Sequence, residues 1–367
     1  MDFLKNILGT KEETIKSYED FWNWFQINEK YFYKIVKQKG NIEKDFFEKL
    51  SSKLNEVKDG FYYLTGMFDE NTVELIFSAE GEIKNIVFVE ELVNSAPKID
   101  GWRFTALKPA LEIVDVNITM QSFEFNSENI SFYSNDYSNY PDEIDITVIH
   151  NDINETNKTT VTNGTYIFLD NYLGELNFST TIDTLTIISK DNAQKELIPI
   201  EKLKAFLDWR QKEFFEKYVG LRHDTENDNY SGLEAQLESG NTLVAVINTD
   251  LLEWDSKASH PWILNIEIKY DGKNNNGMPD NKTYKFLNKI ENEIMEELKD
   301  FEGYLNIGRQ TADNCREIYF ACKDFRKPSK VLHKIEQMYL GKIDLSYNIY
   351  KDKYWQSFNR FTNTILN

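Results

Sequence analysis

At 367 residues the chain exceeds what one hydrophobic core usually holds, so two domains are expected, and its 41% hydrophobic and 14% aromatic content excludes global disorder. The net charge of -19 is uneven: residues 240–367 carry 18 basic and 18 acidic side chains, leaving 24 basic against 43 acidic in residues 1–239. An acidic N-terminal part repels phosphate backbones and anionic lipid, so direct nucleic-acid or membrane binding is not expected of it, whereas a basic protein partner fits.

From the N-terminus, MDFLKNILGTKEE lacks the charged, apolar and small-residue order of a secretory leader, and no stretch reaches the roughly 18 apolar residues of a membrane span. Ser17 and Asp20 resemble a capping box, and Phe21, Trp22, Phe25, Phe32 and Val36 keep helical spacing up to Gly40. A second helix is expected over 42–57, then a hairpin with strands 60–67 and 73–78, a short helix over 86–93, and a strand from Trp102 to Leu107 before Pro109. The aromatic stripe of the first helix reads as core, because no basic residues interleave it as a nucleic-acid platform requires. Alternating β-branched and aromatic residues over 111–149 predict further strands. Helices over 165–176 and 199–218 complete an acidic α+β domain, residues 1–220, of unassigned function.

Residues 221–239, polar and flanked by Gly220 and Gly240, read as a linker, with His223 as an exposed linker histidine. The remaining 240–367 read as a second domain. Strand 242–248 precedes strand 262–270, whose Trp262, Leu264, Ile266 and Ile268 alternate with polar residues. Tyr284, Leu287, Ile290, Ile294 and Leu298 mark a helix, followed by strands 303–309 and 316–322, helix 329–339, strand 342–349 and a terminal helix from about Lys353. The order β-α-β-β-α-β predicts a ferredoxin-like sandwich carrying an extra strand and a terminal helix. Cys315 and Cys322, seven apart in one strand, leave opposite faces and cannot bridge, which fits a reducing cytoplasm.

Chemistry is sparse. His150, His223, His260 and His333 lack zinc-site spacing, and the loop NNNGMPDN lacks the acids of a calcium loop, so neither metal nor cofactor is expected. No nucleophile–base pair is legible, and no catalytic residue is assigned. One polar cluster is a candidate: Glu291 lies at the edge of its helix's apolar stripe and needs a cationic partner. Arg316 shares strand parity with Ile318 and Phe320, and Arg309 with Leu305 and Ile307, so either guanidinium is available. With Thr311 they form either a structural ion-pair cluster or a binding site.

Gly277-Met278-Pro279, Leu287 with Ile290-Glu291, Gly308-Arg309 with Thr311, Arg316-Glu317 with Tyr319-Phe320, and Trp355 together resemble the bacterial domain-of-unknown-function 695 family over roughly residues 240–365. The GMP, helix and RxxYF strings are more loosely similar to the regulator of ribonuclease E activity B, which acts by binding an enzyme. FWNWFQINEKYF, ELIFSAEG, VNSAPKIDGWRFTALKP and FLDNYLGEL resemble an uncharacterised bacterial module that precedes such a domain. The resemblance implies a non-catalytic cytoplasmic binding or regulatory protein working through protein–protein contact, toxin immunity being one concrete form. The alternative is a hydrolytic enzyme whose active-site residues converge only in the fold.

Overall fold

The computed structural model describes residues 14–365, with side chains to Thr362; the stretch 1–13, where a secretory leader was not expected, lies outside the described residues. The chain is α+β and divides into two compact units, one ending at Leu111 and taking in Leu173–Leu176, the other comprising Glu112–Tyr172 and the chain from Asn177 onward.

In the first unit α1 (Tyr18–Lys37) starts where the Ser17 hydroxyl accepts from the Asp20 amide at 3.1 Å, satisfying one orphan donor of the first turn. It is followed by a π-helical turn at Glu43–Phe47 and α2 (Glu48–Leu54). Then come β1 (Tyr62–Met67), β2 (Val73–Ser78), α3 (Ile83–Asn94) and β3 (Trp102–Ala106). The sheet order is β1-β2-β3, with β1 antiparallel and β3 parallel to β2. Phe21, Trp22, Phe25, Phe32 and Phe46 pack on Phe77, Trp102 and Phe104, a cluster of rings with centroid spacings of 4.6–6.4 Å within a core that also buries Leu50, Leu54, Leu75 and Leu92. The buried carboxylate of Glu175 accepts from the backbone amides of Ala79 at 2.8 Å, Lys108 at 3.0 Å and Gly81 at 3.3 Å, fixing the loops that follow β2 and β3.

The second unit opens with β4 (Ile118–Met120), β5 (Phe123–Phe125), β6 (Ile130–Asn135) and β7 (Asp145–His150), then α4 (Lys158–Leu173) up to Tyr172, α5 (Glu175–Thr181) from Asn177, β8 (Thr184–Ser189), β9 (Ile198–Pro199) and α6 (Leu203–Tyr218). β4 and β5 form a small ladder, and β8-β7-β6-β9 form a sheet in which every residue of β7 is buried. β10 (Tyr230–Gln236), β11 (Thr242–Asn248), α7 (Thr249–Glu253), β12 (Trp262–Lys269), α8 (Asn281–Glu297), β13 (Tyr304–Ala312), β14 (Cys315–Cys322), α9 (Arg326–Tyr339), β15 (Asp344–Lys351) and α10 (Asn359–Ile365) follow. Six strands pair antiparallel throughout in the order β10-β11-β13-β14-β12-β15. Leu264, Ile266, Ile318 and Phe320 face α8 and α9, while Ile263, Leu305, Ile307, Tyr319 and Ala321 bury their opposite face under α7, Trp355, Phe358 and Phe361.

Two local expectations change. Residues 221–239 are not bare linker: they hold β10, paired over its whole length with β11. His223 is not an exposed linker side chain either, since its Nε2 sits 2.9 Å from an Asp228 carboxylate that also accepts from Asn248 at 2.8 Å. Both cysteines are free, as the strand parity requires.

His260 closes the turn into β12 and is fully buried. Ser259 Oγ donates to the Ser256 carbonyl at 2.6 Å, so at 2.8 Å it accepts from His260 Nδ1, which places the proton of the neutral ring there. Burial, aided by Lys323, Arg222 and His223, pushes the ring down to about 3. The unfolded chain takes up this proton near pH 6.5 and the folded chain does not. Stability that is complete above pH 6.5 is therefore lost as pH falls toward 3, by at most about 1.4 kcal/mol per pH unit. Urea titrations across pH 7 to 4 should show this slope in the wild type and a shallower one in His260→Asn; equal slopes would exclude His260 as its source.

Candidate functional site

Helix α8 is capped by Asp280, whose carboxylate accepts from the Thr283 amide at 2.7 Å, and it buries Leu287, Ile290, Glu291 and Ile294 toward the sheet. Glu291 is thus carried into the layer between helix and sheet, where an ionised carboxylate alone would cost several kcal/mol. It is not alone. Arg309 Nη1 donates to Glu291 Oε1 at 2.7 Å and Arg316 Nη1 to Oε2 at 3.4 Å, so both arginines reach it rather than one. Arg316 is also held by Asn288 Oδ1 at 2.7 Å and Thr311 Oγ1 at 3.3 Å, and its guanidinium lies 5.2 Å from the Tyr284 ring centre. Burial pushes Arg316 below its ordinary range, and the Glu291 charge works against that.

Arg309 arrives there by a route that simple strand alternation misses. Leu305 and Ile307 pack on the far face of the sheet, so parity with them would carry Arg309 away from α8. A β-bulge between Asn306 and Gly308 shifts the register by one residue, placing Arg309 opposite Ile318 and Thr311 opposite Arg316 on the helix side. Gly308 makes the bulge feasible: its φ is +137°, and a Cβ there would lie 2.2 Å from the Val246 carbonyl oxygen of β11.

The sequence singled out Glu291, Arg309, Thr311 and Arg316, and the fold brings all four together. It missed Asn288 and Tyr284, whose spacing from Glu291 by three and seven residues sets them on one helical face. It also missed a second polar assembly within the second unit. The Asp183 carboxylate is flanked by Lys351 Nζ and Lys353 Nζ, each at 2.7 Å, and accepts from the Ile144 amide at 2.7 Å. Burial raises the Asp183 carboxyl, but the two ammonium groups outweigh it and hold it below its ordinary range. Lys351, almost wholly desolvated beside a second lysine, is pushed down to about 8. Asp142 accepts from Tyr218 at 2.7 Å, Tyr354 at 2.8 Å and Lys217 at 2.9 Å, which ties α6 and the entry to β7 onto the segment after β15. Nothing in one-dimensional spacing links residues 142, 183 and 351 to 354.

Two variants test the Glu291 cluster. Glu291→Ala strands two guanidiniums and should destabilise by about 3–5 kcal/mol, with Glu291→Gln costing less because it keeps hydrogen-bonding capacity. Gly308→Ala should lower Tm by forcing β11 and β13 apart. Wild-type melting of Glu291→Ala would show that the carboxylate is not held as described.

Comparison with known proteins gives one relation. No curated protein matches the chain, no solved structure matches it, and these searches return nothing for the looser similarity to the regulator of ribonuclease E activity B. Residues 228–362, from just before β10 into α10, match the model of a family of unknown function, DUF695.

Proposed function

We propose that the chain is a non-catalytic binding protein, and that its first unit takes up an extended segment of a partner protein as an added strand beside β1. The exposed apolar edge of β1 carries this reading. Among the described residues β1 pairs only with β2. The Phe68 amide donates to the Thr72 carbonyl at 2.8 Å, so alternate residues 68, 66, 64 and 62 turn their backbone groups toward β2. Tyr63, Thr65 and Met67 consequently turn theirs outward, a template for strand addition.

The side chains along this edge are apolar and wet: Tyr62 is 49% exposed, Leu64 40%, Met67 39% and Phe68 54%. Clustered exposure of this kind is uncommon on a surface with no partner. The two ends of the edge carry exposed carboxylates, Asp59 before it and Asp69 and Glu70 after it. Antiparallel pairing of two copies of β1 would bring these acids together, whereas a segment with apolar alternation and basic ends meets both features, in keeping with the acidic excess of residues 1–239. Such contact works by backbone pairing and needs no reactive group.

A photo-cross-linking residue at Met67, with the protein in its native cell, should yield one dominant protein adduct. Thr65→Pro removes an outward donor while leaving the pairing to β2 intact, and should abolish the adduct; Thr65→Val, which keeps the amide, should retain it. An adduct that survives Thr65→Pro, or no adduct at all, contradicts strand addition at β1.

A further inference from the structure

We infer that Arg309, on the open side of the Glu291 cluster, is a binding site for a small oxyanion, a carboxylate or phosphate group. Three observations carry this. The first is charge balance: Glu291 is the carboxylate acting on the buried Arg316, while Arg309 adds a second cation beside it, so two guanidiniums share one carboxylate and the cluster keeps one positive charge in excess. A charge in excess in a desolvated layer is costly, and an anion relieves it.

The second is the geometry of the guanidinium. Arg309 spends Nη1 on Glu291, and its side chain is 27% exposed, unlike Arg316 at 1%. An arginine fork offers five donors, and the edge formed by Nε and Nη2 suits the two oxygens of a carboxylate or phosphate. Bound to Glu291, this fork is already oriented, so an arriving anion does not have to order a free side chain.

The third is the floor. At the β10–β11 end this face of the sheet is open: Val244 and Val246 of β11 are only half-buried, and Gly232 and Glu234 opposite them in β10 are exposed. Val246 lies opposite Arg309 and Val244 opposite Thr311 in the β11–β13 ladder, both half-buried, and Gly232 of β10 lies opposite Val246 without a side chain. A ligand lying on Val244 and Val246 would thus present its oxyanion to Arg309 and its apolar part to the valines. This site is in the second unit and does not depend on the strand-addition reading.

The test uses inorganic phosphate and acetate as probes on the full chain, with chloride at matched ionic strength as reference. Titration followed by the 15N-resolved Arg309 Nε–H resonance should give a saturable shift with one or both probes. Arg309→Gln should weaken binding by about tenfold or more, since a charge-assisted pair is lost. Glu291→Gln removes the competing charge while its amide oxygen still accepts from Arg309 Nη1 and keeps the fork oriented, so it should tighten binding, a change that mere loss of structure cannot produce. Preference for phosphate or for acetate would identify which oxyanion the site takes. No saturable shift with either probe, or equal affinity in wild type and Arg309→Gln, overturns the assignment.

Discussion

A single buried carboxylate sets the geometry of the six-stranded sheet and its helices. Glu291 enters the helix–sheet layer because α8 turns Leu287, Ile290 and Ile294 inward, and once there it is compatible with folding only if cations meet it. Both come from strands: Arg316 from β14 by ordinary alternation, Arg309 from β13 by a bulge that a glycine alone permits. Hydrophobic burial brings α8 to the sheet and sets which face it turns inward, without pinning its slide along β13. The paired charges do that, since a shift of one residue would strand three ionised groups at once.

The second unit repeats this principle where its four-stranded sheet meets the end of β15. Asp183 holds two lysines from a strand end, and Asp142 gathers two tyrosine hydroxyls and a lysine. Asp183 also accepts from the Ile144 amide, and the Asp142 backbone carbonyl accepts from Lys353, so the contact is directional in a way that side-chain packing is not. The first unit relies on the opposite solution, a core of stacked and edge-to-face rings in which the buried Glu175 serves three backbone amides. Its apolar surplus is not all buried: Ile27 and Tyr31 of α1 are exposed, and four exposed side chains cluster along β1 and the residue after it.

Much of this was legible in residue order because it rests on short-range periodicity. The Ser17 cap, the inward stripe of α1, the strands 73–78 and 242–248 and the helix beneath Glu291 all follow from spacings of two, three or four. What escaped depends on events that periodicity does not encode. β10 is a polar seven-residue edge whose composition matches a linker, and only its pairing to β11 makes it a strand. The bulge at Ile307 inverts the parity argument for Arg309 while preserving its conclusion, because the helix side is reached by an added residue rather than by alternation. The Asp142 and Asp183 assemblies draw on segments up to about 210 positions apart, where spacing has no meaning.

The polar cluster is first a fastening and second, at its exposed Arg309 edge, the proposed oxyanion site, while the proposed contact with a partner protein lies at a strand edge that needs no ionised group. The claim that Glu291 is the fastening is tested most directly by double-mutant cycles pairing Glu291→Gln with Arg309→Gln and with Arg316→Gln, read by urea unfolding. The account predicts coupling of about 1 kcal/mol or more in both cycles, since each arginine binds a different oxygen of the same carboxylate. Additive effects in both cycles would contradict it.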